Sequence, residues 1–205
     1  MKRTFFLMQL FAISLIKVCG QADSSDIHFI HDVFKPRSSY PVVYLARSYD
    51  WKRITESLTD TIIKSRYNTL LKDSLVLTSA ELNYLRQQAD INKNYVWPDS
   101  LLPSSQRFEN ESNTLFIFLH HQFNIYRDNI NTALINKDSI SLQRFITLKP
   151  WVYVFSKPIY FRNGELCIFY SCSFCGGLCG EDEVSLYRKE KDKWVKWILI
   201  SHGDY

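Results

Sequence analysis

The sequence predicts an α+β fold in which N-terminal helices pack on a C-terminal antiparallel β-meander, within a single domain at residues 21–205. Three observations support this prediction. Residues 78–81 carry a helix-capping pattern, and apolar residues follow it at helical spacing. From residue 151 onward, short apolar runs alternate with turn residues, which is typical of antiparallel strands. The chain of 205 residues is 15% aromatic, so it is long enough and rich enough in large side chains to bury one core.

Residues 1–20 are predicted to be a secretory signal peptide. They begin with a short basic segment, continue with a mostly apolar stretch, and end before a cleavage point after Gly20. The apolar stretch is short and Lys17 interrupts it, which disfavours a transmembrane span. Acylation of Cys19, as in a lipoprotein, is the less favoured alternative. We therefore expect a secreted, periplasmic or cell-envelope protein with no transmembrane span in its mature chain.

The distribution of charge disfavours one class of partner. The whole chain has a formal net charge of +4 at pH 7. Lys2, Arg3 and Lys17 lie in the leader, whereas all 21 acidic residues lie beyond it. The mature chain is therefore close to neutral, and it has no polybasic run that would suggest a nucleic-acid partner.

Residues 21–112 are predicted to be mostly helical. We expect residues 21–37 to form a flexible lead-in, and the short apolar run at 40–45 predicts a strand. Apolar residues at helical spacing predict a helix capped by Asp50. These apolar residues are Trp51, Ile54, Leu58 and Ile62. A capping box predicts a second helix beginning after Thr78.

Residues 113–205 are predicted to be mainly sheet. The first apolar run, at residues 115–119, favours a buried strand, and a helix stays open as an alternative. His120 and His121 follow directly, and on a strand they would point to opposite faces. Either could act as a catalytic base, but a half-buried histidine with a structural role is the favoured interpretation.

The strands of the meander are predicted from residue 151 onward. They occupy residues 151–155, 159–162, 165–171, 183–188 and 194–200. Asn163 and Gly164 predict a type I′ hairpin turn, because both residue types tolerate positive φ. In the third strand, alternate residues face opposite sides and both sets are apolar. This strand is therefore expected to be central in the sheet.

The most unusual stretch is a reversal rich in cysteine and glycine. Gly176, Gly177 and Gly180 permit positive φ and close backbone approach, so they predict a tight turn. Cys175 and Cys179 bracket this turn and are predicted to form a disulfide. A redox dithiol and a structural zinc site stay open as alternatives.

The remaining two cysteines of the mature chain, Cys167 and Cys172, lie on one predicted strand. Their odd spacing should place them on opposite faces of the sheet, where they stay thiols packed as small apolar groups. Because all four cysteines are crowded together, the usual arrangement of zinc ligands in two separate turns is disfavoured. We therefore expect no metal site and no cofactor.

Five short segments carry a resemblance to a known pattern. They are Ser156–Ile159, Cys167–Tyr170, Cys175–Gly180, Leu186–Tyr187 and Lys193–Trp194. Together they resemble the C-terminal part of secreted Bacteroidota-type proteins that are mostly uncharacterised, in which glycine often stands at the position of Asp182. The resemblance covers about the last 50 residues and implies no catalytic residues. The order of helices followed by a meander is also similar to the NTF2-like cone.

The sequence contains no GxSxG, HExxH, P-loop or dinucleotide motif. Glu181, Asp182 and Glu183 form an acidic run that could bind a cation or act as acid and base, and a solvated turn is the favoured interpretation. The first hypothesis is therefore an exported, non-enzymatic envelope or periplasmic protein that binds an unidentified protein or small molecule. The alternatives are an NTF2-like hydrolase or isomerase with a pocket in its sheet, and a thiol- or metal-binding protein.

Overall fold

The computed structural model describes residues 23–36, 42–47, 52–65, 73–99, 101–109, 113–141, 151–175 and 179–204. The α-helices are α1 (Ser24–Val33), α2 (Lys52–Ser57), α3 (Ser79–Ile91) and α4 (Asn113–Ile135), and a 3-10 helix spans Asn92–Asn94. The strands are β1 (Val43–Leu45), β2 (Ile62–Lys64), β3 (Ser74–Val76), β4 (Gln106–Phe108), β5 (Val152–Phe155), β6 (Ile159–Phe161), β7 (Leu166–Phe174), β8 (Gly180–Glu190) and β9 (Lys193–Asp204). The predicted α+β class is confirmed. The predicted signal peptide at 1–20 lies outside the described residues.

Seven of the strands form one mixed sheet in the order β4-β1-β5-β7-β8-β9, with β6 also paired to β7. The pairs among β5 to β9 are antiparallel, as predicted. The sequence did not predict that β1 joins this sheet in parallel with both β4 and β5. Strands β2 and β3 form a separate antiparallel hairpin.

Strands β5 and β6 lie end to end along the same edge of β7, not side by side. Strand β5 pairs with the second half of β7, and β6 pairs with its first half. Between them, the Ser156 amide donates to the Tyr170 carbonyl and the Ser156 hydroxyl accepts from the Tyr170 amide, both at 3.0 Å. Ser156 thus bridges the gap in the ladder just before Pro158, which has no amide hydrogen to donate.

Both faces of β7 are buried, which is why it occupies the predicted central position. Leu166, Ile168 and Tyr170 face the side covered by α2, α3, α4 and the β2–β3 hairpin, and we call this side the closed face. Cys167 and Phe169 face the side covered by α1 and by the segment between α3 and β4, and we call this side the aromatic face. The fold is therefore a sheet between two unequal layers.

Helix α3 packs on the closed face, and its predicted capping box is confirmed. The Thr78 hydroxyl accepts a hydrogen bond from the Glu81 amide at 3.1 Å, and the Glu81 carboxylate accepts one from the Thr78 amide at 2.8 Å. Arg162, in the loop after β6, donates to the same carboxylate at 2.7 Å and to the Val76 carbonyl at 2.8 Å. Hydrogen bonding, first from Arg162 and then from the Thr78 amide, lowers the pKa of Glu81 to about 2. These contacts fix the helix N-terminus to the sheet.

Helix α2 is shorter than predicted. Ile54 and Leu58 are buried on the closed face, but the helix ends at Ser57 and Ile62 lies on β2. Asp50, the predicted cap, and Trp51 lie outside the described residues. The apolar spacing therefore predicted the buried positions of Ile54 and Leu58 correctly, but it did not predict the end of the helix.

The prediction of a flexible lead-in at residues 21–37 is wrong where the structure describes them, because this segment contains α1. Phe29 is fully buried on the aromatic face, and its ring centroid lies 5.0 Å from that of Phe169. Apolar residues at helical spacing supply the buried stripe, and the Asp23 side chain caps the helix N-terminus.

A carboxylate is buried beneath the first turn of α1. Asp26 is 1% exposed, accepts a hydrogen bond from the Tyr95 hydroxyl at 3.2 Å, and lies 3.8 Å from the Lys157 ammonium. Burial raises the pKa of Asp26, and the positive charge of Lys157 opposes this shift in part. The charged form of Asp26 therefore destabilises the fold relative to a neutral one.

The strand predicted at residues 115–119 is wrong, because these residues belong to α4. Leu115 and Leu119 are buried one helical turn apart, whereas Phe116 and Ile117 are exposed. The helical period thus decides the structure of this apolar run. Among the described residues, no helix combines the length and the apolar character needed to cross a membrane.

The predicted turn at Asn163 and Gly164 has the required backbone conformation. Their φ angles are 58° and 80°, and that of Arg162 is 49°. The loop is longer than the two residues predicted, since Phe161 pairs with Leu166. A side chain at Gly164 would meet no atom within 4 Å, so only the backbone conformation disfavours substitution there.

Strands β8 and β9 both extend beyond their predicted ends. Strand β8 begins at Gly180 instead of Glu183, and β9 continues past Ile200 to Asp204. The two extensions pair with each other, and Glu181 lies opposite Asp204. Polar residues predicted to lie in loops therefore belong to paired strands at this end of the sheet.

Candidate functional site

The extended ends of β7, β8 and β9 bring a group of polar side chains onto one patch of the aromatic face. Ser171 lies opposite Glu183 and Ser173 opposite Glu181 in the β7–β8 register. Across the next pair, Glu183 lies opposite His202. Directly opposed residues of neighbouring strands share a face. The side chains on this patch are those of Ser171, Ser173, Glu181, Glu183, His202 and Asp204.

A cleft of about 200 Å³ adjoins this patch, at the point where cover by α1 ends. Its aromatic lining consists of Phe34, Tyr153, Phe155, Phe169 and Tyr187. Its polar lining includes Lys35, Ser171, Ser173, Glu181, Glu183 and Lys196. We call this feature the aromatic cleft. Such a combination of apolar surface with a few polar groups is typical of small-molecule sites.

The charges around the aromatic cleft are balanced and partly fixed. The Lys196 ammonium contacts both carboxylate oxygens of Glu183, at 2.6 and 2.7 Å. Glu181 and Lys35 add one charge of each sign to the lining. A ligand in the cleft would therefore meet no large excess of either charge.

Tyr187 contributes a neutral phenol to the cleft. Burial raises the pKa of Tyr187 above its usual range, and the negative charge of Glu183 adds to this shift. The hydroxyl therefore stays protonated at physiological pH and can both donate and accept a hydrogen bond.

Three side chains beside the cleft have the chemistry of metal ligands. One donor atom from each of Glu181, His202 and Asp204 lies within 4.8 Å of the other two. The Nε2 atom of His202 is 3.0 Å from a carboxylate oxygen of Asp204. The sequence contains only a weak signal for this group, the alternation of His202 and Asp204, because its apolar pattern predicts that the last strand ends at Ile200.

Asp182, one of the predicted candidates, lies on the opposite side of the sheet from this group. Its side chain is 4% exposed and forms an ion pair of 3.0 Å with Arg53. A Cβ atom at Gly203 would lie 3.0 Å from its carboxylate, so a larger residue there would have to displace the Asp182 side chain. The favoured interpretation of the acidic run as a solvated turn is wrong, because these residues lie on β8 and Asp182 is buried. Strand alternation places Asp182 on the face opposite to that of Glu181 and Glu183.

The other two candidates, His120 and His121, lie on α4 and are both exposed. The expectation that they lie half-buried on a strand is therefore wrong. The Nδ1 atom of His120 is 3.1 Å from the side-chain nitrogen of Asn124, one helical turn away. Neither histidine lines the aromatic cleft.

Cys175 and Cys179 form a disulfide, as the sequence predicted, with their Cα atoms 5.5 Å apart. Gly180 begins β8, whereas Gly176 and Gly177 lie outside the described residues. The disulfide joins the ends of β7 and β8 next to the polar patch. With two sulfurs used in this bond, a site of four cysteine thiolates is not possible.

Cys167 and Cys172 are buried and take no part in a disulfide. They lie on opposite faces, Cys167 on the aromatic face and Cys172 on the closed face. Burial raises the pKa of the Cys167 thiol well above its usual range. A thiol of this kind is a poor nucleophile, since the reactive form is the thiolate.

No protein-family model, curated protein or solved structure matches this chain. The resemblance to secreted Bacteroidota-type proteins and the likeness to the NTF2-like cone therefore stay predictions.

Proposed function

We propose that this protein is an exported, non-enzymatic binding protein that holds a small polar molecule in the aromatic cleft. The observation that carries the proposal is the lining of the cleft, which combines five aromatic rings with hydroxyl, carboxylate and ammonium groups. Aromatic faces bind apolar surfaces of a ligand, and the polar groups orient it.

The size and charge of the cleft narrow the ligand class. A cavity of about 150 Å³ accommodates benzene, and this cleft measures about 200 Å³. The balanced charges favour a neutral or zwitterionic ligand. A molecule of the size of a monosaccharide or an amino acid, with one apolar face and several hydrogen-bonding groups, meets both conditions.

The bidentate contact between Lys196 and Glu183 supports binding over proton transfer. Both oxygens of Glu183 already accept hydrogen bonds from the Lys196 ammonium, so this carboxylate is poorly placed to exchange a proton with a ligand. The same pair gives the cleft a fixed wall of polar atoms, which suits recognition.

Export is supported by two features of different kinds. The N-terminal sequence has the pattern of a secretory leader, and the Cys175–Cys179 disulfide is stable in an oxidising compartment. Intact-mass analysis of protein from native cells tests this part of the proposal. We expect a mature chain beginning at Gln21, and a mass that retains residues 1–20 or carries lipid on Cys19 would contradict it.

Ligand-observed NMR with a panel of monosaccharides and amino acids tests the binding function. We expect at least one compound to bind the native protein and to lose binding in Ser171→Trp, which fills the cleft. Ser139→Trp places the same side chain at an exposed position on another part of the surface and should leave binding unchanged. Lys196→Met should weaken binding of the same compound, while the melting temperature of the variant stays within a few degrees of that of the native protein. Absence of any binding compound, or binding that survives Ser171→Trp, would contradict the proposal.

A further inference from the structure

Beyond the binding of an organic ligand, we infer that Glu181, His202 and Asp204 form a site for one divalent cation of the zinc class. The three residues owe their proximity to the β8–β9 register. Glu181 lies directly opposite Asp204, and His202 lies two residues before Asp204 on the same strand, hence on the same face. All three Cα positions therefore belong to paired strands of the main sheet, which holds the three side chains next to one another.

The spacing of the donor atoms suits a tetrahedral ion. Zinc binds imidazole nitrogen and carboxylate oxygen at about 2.0–2.2 Å, so two ligands of a tetrahedral site lie about 3.4 Å apart. The Nε2 atom of His202 and an oxygen of Asp204 are 3.0 Å apart. The oxygen of Glu181 lies within 4.8 Å of both. These separations bracket the distance of about 3.4 Å that a tetrahedral site requires.

The donor set also selects the kind of cation. Imidazole favours zinc and its neighbours among the transition metals, whereas Mg²⁺ and Ca²⁺ prefer sites made of oxygen atoms alone. Two carboxylates and one neutral imidazole neutralise the charge of a divalent ion. Three protein ligands leave one tetrahedral position for water or for an exogenous ligand. Glu181 also lines the aromatic cleft, so this ion would lie beside a molecule bound there.

Isothermal titration of the metal-free protein with Zn²⁺ tests the site. The protein is kept without reductant, so that the Cys175–Cys179 disulfide stays closed and contributes no thiolate. We expect one ion per chain with a dissociation constant in the micromolar range or tighter. His202→Ala and Glu181→Gln should each weaken binding at least tenfold. His121→Ala removes an exposed histidine from α4 and should leave the affinity unchanged.

Further readouts distinguish a metal site from a simple ion pair and from the aromatic cleft. Co²⁺ should give visible absorption bands in the native protein that are lost in His202→Gln, a second variant with a neutral polar side chain. Phe34→Ala, which removes an aromatic ring of the cleft on the segment after α1, should weaken binding of the organic ligand and leave Zn²⁺ binding intact, so the two proposals can fail separately. No binding by the native protein, or equal binding by His202→Ala, would overturn the inference and leave the His202–Asp204 contact as a hydrogen bond only. Equal affinity for Mg²⁺ would overturn the assignment to the zinc class.

Discussion

The two faces of the central strand β7 are both buried, and the aromatic face opens into a cleft at one end of the strand. On the closed face, Ile168 and Tyr170 are fully buried beneath the helices and the β2–β3 hairpin. On the aromatic face, Phe169 is covered by α1, but Ser171 and Ser173 follow it where that cover ends. The difference shows how strand alternation lets one element build a core with one set of side chains and a site with the other. Substitutions on the closed face of β7 should therefore mainly lower stability, whereas substitutions at the cleft on the aromatic face should mainly change ligand binding.

The largest expected effect comes from the closed face. Ile168→Ala removes a fully buried side chain from the central strand and should lower the free energy of unfolding by about 2–5 kcal/mol, through lost burial and the cavity left behind. Ser171→Ala, on the other face, should change it by about 0.5 kcal/mol or less. Urea denaturation of both variants measures the contrast. Equal losses of stability would show that the cleft end of the aromatic face is as important for folding as the closed face.

The next effect concerns the disulfide beside the polar patch. Replacing Cys175 and Cys179 together by alanine should lower the free energy of unfolding by about 2 kcal/mol, because the closed ring is short. Hydrogen exchange should then accelerate at the amides of Glu181 and Glu183 and stay unchanged at Leu186, further from the reversal. Uniform acceleration of hydrogen exchange along β8 would mean that the disulfide stabilises the whole sheet and not only the end beside the cleft.

The opposite end of β7 provides the matching test. Gly164→Val should lower the free energy of unfolding by about 1–3 kcal/mol, because a β-branched residue resists positive φ. Asn163→Gly, which also permits positive φ, should be close to neutral by the same denaturation experiment. Since this turn lies away from the cleft, ligand binding should be unaffected by either change. A neutral Gly164→Val would show that the turn can adopt another conformation.

The smallest effects are those of pH, and they have opposite signs on the two faces. The pKa of Glu81 is lowered to about 2, so its stabilising contribution is complete above its ordinary value of 4.5 and is lost as the pH falls toward 2. The pKa of Asp26 is raised above 3.8, so its contribution to stability decreases as the pH rises through the folded-state pKa. We expect Glu81→Gln to cost about 1 kcal/mol at neutral pH, the scale of a helix cap or a solvent-screened ion pair.

Denaturation of the two variants between pH 2 and 7 measures this contrast. Glu81→Gln should flatten the loss of stability on the acidic side. Asp26→Asn should remove the decrease that accompanies rising pH, because the amide carries no charge to be desolvated. Parallel pH profiles for the native protein and both variants would contradict the assignment of these two carboxylates.

The parts of the fold that follow local rules were predictable from the sequence. The capping box at Thr78 predicts where α3 begins, and the apolar residues at both alternating positions of β7 predict a strand that is buried on both sides. Helix α1 was predictable in principle, since Asp23 is a good cap and apolar residues follow at helical spacing. Proximity to the N-terminus favoured a flexible segment instead, and the buried stripe of α1 shows that this expectation is wrong.

The candidate site was much harder to predict, because it depends on register between distant parts of the chain. Glu181 and Asp204 meet only because β8 and β9 extend beyond their apolar segments. Polar residues at strand ends have the same composition as loops, so local propensity gives no reason to extend the strands. The sequence groups Asp182 with its two acidic neighbours, although strand alternation places its side chain on the closed face and theirs on the aromatic face.

The parallel pairing of β1 with β5 has a consequence for the order in which the chain folds. The hairpins from β6 to β9 close short loops, whereas the pairing of Val43 with Val152 joins residues separated by more than half of the chain. Rates of folding decrease as contacting residues become more distant along the chain, because the entropy of loop closure must be lost before the contact forms. We therefore expect the C-terminal strands to assemble first and β1 to dock late. Until it docks, the edge of β5 stays open to pairing with strands of other molecules. The first strands of this sheet to be synthesised, β1 and β4, are therefore the last to join it.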